Sequence, residues 1–354
     1  MNFDETHYVP VLKLKGGEKE ALPLLSQTVR TRITPLFEVV ERDKEKKATP
    51  AEHIDTAFKK FKPAVEHLRR YFLDCREVAA DGPETVEDVF RRAADLGTPF
   101  VPVTGITRSV DVQAALANRT SGLALRLTRE EYESGAVQSE LLPFVKTHDV
   151  PREVIDLIID LGAVDDMVLS GVQALATVFL NDIPDPTSWR TLTISASAFP
   201  PGMGGLESRS HDLIDRLDWL AWRDGIRADA SLPRVPTFSD GGIQHPSGVE
   251  SVDWRTRTIS ASVRYTTGDQ WLRIKGVSTK TELPSDQFQN LATSLVYGYL
   301  SKHFSGAPHC NGCQGMWCAA EGADNFGSLT VWRRLGTAHH ITHVIEQIDA
   351  LAAP

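Results

Sequence analysis

Three cysteines and several histidines crowd the C-terminal quarter of the chain, in the order His303, His309-Cys310-Asn-Gly-Cys313 and Cys318. A C-x₂-C step presents two thiolates to one ion, and a histidine can help complete a tetrahedral set. Cys310, Cys313, Cys318 and His303 are therefore candidate zinc ligands, with His309 adjacent. The usual second ligand pair twelve or more residues away is missing. The competing reading is an apolar loop with free thiols, and Cys75, inside an apolar run, reads as a small core residue. Farther on, His339, His340 and His343 fall within five residues, and His339 and His343 share a helix face. Histidines at a helix start could line a pocket mouth and act as general acid.

A second constellation is spread along the chain. Polar residues close a series of short apolar runs: Lys13 and Lys15, Glu38 and Glu41, Asp74 and Arg76, Thr104, Arg126, Asp160, Ser195 and Ser197, then Asp240-Gly-Gly with His245. A charge flanked by Leu, Ile, Phe and Val must be paired or must face a cavity. The ring is either a polar pocket for an anionic small molecule or a plug of ion pairs. Glu38, Asp74, Asp160 and Asp240 could hold a divalent cation through oxygen, and a strand-end lysine could form a Schiff base. No D-x-D, H-x-H, G-x-S-x-G or strand-following G-x-G-x-x-G supports metal, serine-hydrolase or dinucleotide chemistry.

The elements that must position these residues alternate. Strand-like runs at 9–15, 33–40, 71–75, 99–104, 122–128, 154–161, 189–195 and 235–239 are separated by helical patterns, the last of them at 209–223. The strand starts are about 32 residues apart, room for a strand, a helix and two loops. Runs such as Asp156-Leu-Ile-Ile-Asp160 suit a sheet buried on both faces, the parallel case. Eight βα units predict an α/β fold of the closed (β/α)₈, TIM-barrel-like kind, whose sites lie at the C-terminal ends of the strands. A doubly wound open sheet is the runner-up. The pattern breaks after Asp240. Runs at 256–265 and 270–275 around Thr266-Thr-Gly-Asp269 predict a β-hairpin inserted after strand eight. Helices are expected at 285–301, with Ser285 as N-cap, and from His340 to Leu351. The division expected is a barrel core at 1–245, the insertion at 246–280, and closing helices with the Cys/His segment at 281–354.

Composition narrows the function classes. The chain has 354 residues, 41% hydrophobic and 24% charged, which suits a packed core and rules out a disordered or collagen-like chain. Apolar runs reach about eight residues against the roughly 20 a spanning helix needs, so no membrane role is expected. The acidic start, Met1-Asn-Phe-Asp-Glu5, has no apolar leader core, and a cytoplasmic location is expected. A net charge of −9 argues against bulk nucleic-acid binding. Lys44, Lys46, Lys47, Lys59, Lys60 and Lys62 are interleaved with Glu41, Asp43, Glu45 and Glu52, the mark of a solvated face.

Several blocks resemble one known family. They are Tyr8-Val-Pro-Val-Leu-Lys13 with Gly17 and Glu20-Ala-Leu22, Ile33-Thr-Pro-Leu-Phe-Glu38, Ser239-Asp-Gly-Gly with His245-Pro246, Arg264-Tyr265 with Trp271, and Trp332-Arg333 with His339-His340-Ile-Thr342. In order and spacing they are similar to the beta-protein family, named after a bacteriophage protein. The resemblance implies one barrel-like α/β domain and a phage or antiviral-defence setting, and it implies no particular reaction. It marks Lys13, Glu38, Asp240, Arg264, Tyr265, Arg333, His339 and His340 as positions of interest. The chain departs from the family pattern at Cys310–Cys318, so a zinc site there would belong to this branch.

Two functions are expected as alternatives. In one, a barrel enzyme, hydrolase or lyase, binds a phosphate- or carboxylate-bearing molecule. Lys13, Lys15, Arg126, Asp240, Arg264, Tyr265 and Arg333 bind it, Glu38 or Asp160 is the base, and His339 or His340 the acid. In the other, a non-catalytic scaffold uses the hairpin to bind a protein of the same operon. A polar concave barrel top favours the first, and a plugged top with an exposed apolar hairpin favours the second.

Overall fold

A computed structural model describes residues 3–43, 47–247 and 260–352. Lys44, Lys46 and the first residues of the expected hairpin, 256–259, lie outside them. Eight parallel strands close a barrel: β1 (Tyr8–Lys13), β2 (Leu36–Glu38), β3 (Tyr71–Asp74), β4 (Phe100–Thr104), β5 (Leu123–Thr128), β6 (Ile155–Ala163), β7 (Thr191–Ser197) and, after an excursion through β8 (Ser210–Asp215), β9 (Thr237–Asp240). β9 pairs with β7 through Ile194↔Phe238 and with β1 through Tyr8↔Phe238, which closes the ring.

The pleat sorts the side chains. Every second residue of a strand points inward, and Val9, Leu36, Phe72, Val101, Val103, Ala124 and Ile158 form an apolar layer inside the barrel, with Phe3 packed on it. The intervening residues, such as Leu12, Phe37, Leu73, Leu125, Leu157 and Ile194, point outward into the larger cluster under the helices. Two residues past the inner layer come Glu38, Asp74, Arg126 and Asp160, at the C-terminal ends of their strands. At the opposite end, Arg190 grips Asp156 through Nε (2.9 Å) and Nη2 (2.6 Å).

The segment at 209–223 corrects the expectation of a helix. Its first part is β8, which pairs antiparallel with β11 (Gln270–Ser278), itself the partner of β10 (Ser260–Thr267). The three-stranded order is β10-β11-β8. The spacing of Leu213, Leu217 and Leu220 mimics a helix, but Ser210–Asp215 alternates between half-buried and exposed positions, as an edge strand does. Helix begins only at Leu217, where Trp219 and Trp222 pack on Phe238. The expected hairpin is present with this third strand added.

The small sheet packs against helices Pro284–Val296, Asn311–Ala320 and Leu329–Ala352. A second apolar cluster joins them through Val263, Tyr265, Leu272, Ile274, Phe288, Met316, Trp332 and Leu335. The last helix starts at Leu329 rather than His340, so the paired histidines sit in its middle. Among the described residues no helix is long and apolar enough to cross a membrane.

Candidate functional site

A cavity of about 480 Å³ opens at the C-terminal ends of the barrel strands. Lys13, Glu38, Asp74, Arg126 and Asp160 line it, as the strand-end reading expects, and Glu18, Arg76, Glu77, Arg129, Glu130, Ser195, Ser197, Gly241, Gln244 and His245 join them. Arg126 is the hub. Its Nη1 donates to Glu38 Oε1 (2.6 Å) and Asp74 Oδ2 (2.9 Å), and its Nε donates to Asp160 Oδ2 (2.9 Å). Lys13 Nζ bridges Glu38 Oε2 (2.7 Å) and Glu77 Oε1 (2.5 Å). Arg108 meets the other face of Asp74 (2.7 Å). Burial alone would raise the Glu38 carboxyl, but Arg126 and Lys13 outweigh it and hold it below its ordinary value. The same contest, won by Arg108 and Arg126, holds Asp74 ionised.

Two groups stand apart from this neutralised ring. Glu18 is buried in the short helix after β1, and its Oε2 accepts the backbone N–H of Lys13. Burial pushes its carboxyl up to about 7, with Arg333 pulling the other way. Arg76 and Arg129 sit beyond the ends of β3 and β5, Arg76 exposed and Arg129 half-buried. Arg129 Nε is buried with no hydrogen-bond partner among the described residues. Sequence reasoning singled out Arg76 only as a strand-end residue and missed Glu18, Glu77 and Arg129. The signal for Glu18 was faint: an acid three residues past Lys15, at the start of a run that reads as an amphipathic helix.

Other expected site residues lie elsewhere. Lys15 follows the end of β1 and is exposed outside the cavity lining. Asp240 shares the outward face of β9 with Phe238, while Ser239 faces inward onto Ser195 (3.0 Å). Asp240 is therefore buried behind the mouth, accepting from Tyr8 Oη (2.5 Å) and facing His340 Nε2 (3.1 Å). His340 Nδ1 meets Thr266 Oγ1 (2.8 Å), and neither His339 nor His340 reaches the cavity. Arg264 donates to the Ile243 carbonyl (2.8 Å) with its guanidinium over Phe199. Arg333 shares with Arg264 only a crevice of about 20 Å³.

The family model described as Beta protein matches residues 8–346. The chain belongs to the Beta protein family. No curated protein and no solved structure matches it. The matched span takes in this family member's whole mouth cavity and its C-terminal histidines, so the resemblance read from the sequence blocks holds for nearly the full chain.

The C-terminal cysteines form a second cluster, and the structure changes its membership. His309, Cys310, Cys313 and His339 each offer one ligand atom, all within 4.8 Å of one another, a set that could hold a metal ion. His303 ends a separate turn, Ser301–His303, and is not among the residues gathered round the two sulfurs. Cys318 lies five residues past Cys313, about 140° around the helix, with Gln314 donating to its sulfur (3.5 Å). Hydrogen bonding from Cys313, and then His339, pulls the Cys310 thiol down to about 4 despite burial. Tyr265, expected at the barrel mouth, belongs here: its ring stacks on His339 at 3.9 Å and its Oη lies 3.2 Å from Cys313 Sγ.

Proposed function

We propose that the barrel mouth binds a small molecule bearing a phosphate or carboxylate, and that the chain is an enzyme, hydrolase or lyase, acting on it in a phage or antiviral-defence setting. The carrying observation is the cavity of about 480 Å³ at the strand ends, large enough for a small ligand and lined by charges of both signs. Lys13 and Arg126 are committed to carboxylates, so they fix the ring rather than capture the anion. Arg76 and Arg129, on the rim, are the groups placed to meet it. Glu18 titrates near neutrality and is the lining carboxyl suited to give and take a proton. Glu38 and Asp160, locked onto Arg126, would orient hydroxyls of the ligand.

The scaffold alternative needed an exposed apolar hairpin. Val263, Tyr265, Leu272 and Ile274 of β10 and β11 are instead inside the second core. The Cys/His cluster lies outside the mouth lining, so a metal ion held there would act on the fold and not on a ligand in the mouth.

The test is a melting-temperature screen with sugar phosphates, nucleotides and small carboxylates, on wild type and on the double variant Arg76→Ala, Arg129→Ala. A ligand at a hundred times its Kd adds about 2.7 kcal/mol, which for a chain of this size is about 3–4 °C. One class should shift the wild type by that much and the double variant far less. If no class shifts the wild type, or the variant responds equally, the mouth is a structural ion-pair plug.

A further inference from the structure

We infer that His309, Cys310, Cys313 and His339 form a closed tetrahedral zinc site that ties the C-terminal helix to the segment preceding it. The inference does not rest on the barrel-mouth reading, because none of the four residues lines that cavity.

The geometry fits the ion. Zinc–sulfur bonds of about 2.3 Å and zinc–nitrogen bonds of about 2.0–2.1 Å in a tetrahedron put N and S about 3.5 Å apart. His339 Nδ1 lies 3.3 Å from Cys313 Sγ and 3.8 Å from Cys310 Sγ. The ring is already turned for the task. His339 Nε2–H donates to the Thr266 carbonyl (2.7 Å), which leaves the Nδ1 lone pair facing both sulfurs. His309 shows the complementary arrangement. Glu346 Oε2 approaches its Nδ1 (3.5 Å), and its Nε2 is buried with no hydrogen-bond partner among the described residues. A buried nitrogen without a partner, on a ring that offers a ligand atom within 4.8 Å of both sulfurs, is satisfied by a cation.

The sequence builds the site from three segments. Cys310 caps the ten-residue helix Asn311–Ala320, its Sγ accepting the backbone N–H of Cys313 (3.3 Å), so the two sulfurs are held on the first turn of one helix. His309 ends the turn Ala307–His309, and His339 comes from the last helix. Gly312 lets these helices touch: a Cβ there would stand 2.5 Å from the Leu335 carbonyl oxygen. A cleft of about 300 Å³ lined by His309 and Cys310 gives an ion its way in. Two sulfurs and two imidazoles select zinc over magnesium or calcium, and four protein ligands leave no open position for catalysis. Binding takes both sulfurs as thiolates and releases to solvent any thiol proton still held.

The experiment uses the full chain, purified reduced. Metal analysis should find one zinc per chain. Cobalt added to the apoprotein should give the visible bands of a tetrahedral complex and a near-ultraviolet thiolate-to-cobalt band. Cys310→Ser and Cys313→Ser should lose the equivalent of metal, whereas Cys318→Ser and His303→Gln should keep it. Should the serine variants not fold, the cobalt spectrum of the wild type decides. No zinc with no cobalt bands overturns the inference, as does equal loss in Cys318→Ser. A fully reduced chain that takes up no cobalt, its Cys310–Cys313 pair instead closing to a disulfide, also overturns it and makes the pair a redox dithiol.

Discussion

Glu18→Gln isolates the most unusual group of the barrel mouth. Burial raises the Glu18 carboxyl from 4.5 to about 7, so the folded state holds its proton over a range where the unfolded chain has released it. For such a group, stability is fully present below about pH 4.5 and is lost as pH rises toward 7. Integrating the two titrations, Glu18 removes about 0.8 kcal/mol at pH 5 and about 3.3 kcal/mol at pH 8. Glutamine keeps the acceptor for the Lys13 backbone N–H and cannot ionise. The variant should therefore gain on the wild type by about 2.5 kcal/mol between pH 5 and pH 8. With an unfolding entropy proportional to 354 residues, that is about 3 °C in the difference between the two melting temperatures. Melting both proteins by circular dichroism at half-unit pH steps measures it. A difference that stays flat across the range refutes the raised proton affinity, and with it the role proposed for Glu18.

Two further substitutions test how the fold holds its site. Arg126→Leu leaves Glu38, Asp74 and Asp160 without their shared partner, and denaturant unfolding should show a loss of about 3–5 kcal/mol; a loss under 1 kcal/mol would mean that water, not Arg126, balances the ring. Gly336→Ala should destabilise by about 1–3 kcal/mol by overpacking, although helix propensity alone predicts a gain of about 1 kcal/mol. The reason is a Cβ placed 2.7 Å from the Arg264 carbonyl oxygen, and a higher melting temperature in the variant would refute that close packing.

The barrel and half of its mouth were readable because one rule governs both. A strand ending in a charge after an apolar run, as at Leu36-Phe-Glu38 or Ile158-Ile-Asp160, shows its inward face by its period of two. Lys13, Glu38, Asp74, Arg126 and Asp160 all obey that rule. Asp240 looks the same in sequence but lies one step out of phase: the inward residue of β9 is Ser239, so the carboxylate turns outward to Tyr8 and His340. Nothing local records that phase, because it is set by the pairing of Ser239 with Ser195 and Val9 across the closing strands. The metal-capable cluster failed in the reverse direction. The C-x₂-C pair was legible, since both sulfurs lie on one turn of helix. Its nitrogen ligands could not be chosen among the five C-terminal histidines until the long helix was known to begin at Leu329, which brings His339 alongside Cys313. Spacing within an element therefore carried the chemistry in this chain. Where two elements had to meet, the glycines at their crossing, Gly312 against Leu335 and Gly336 against Arg264, held the information that the reactive residues did not.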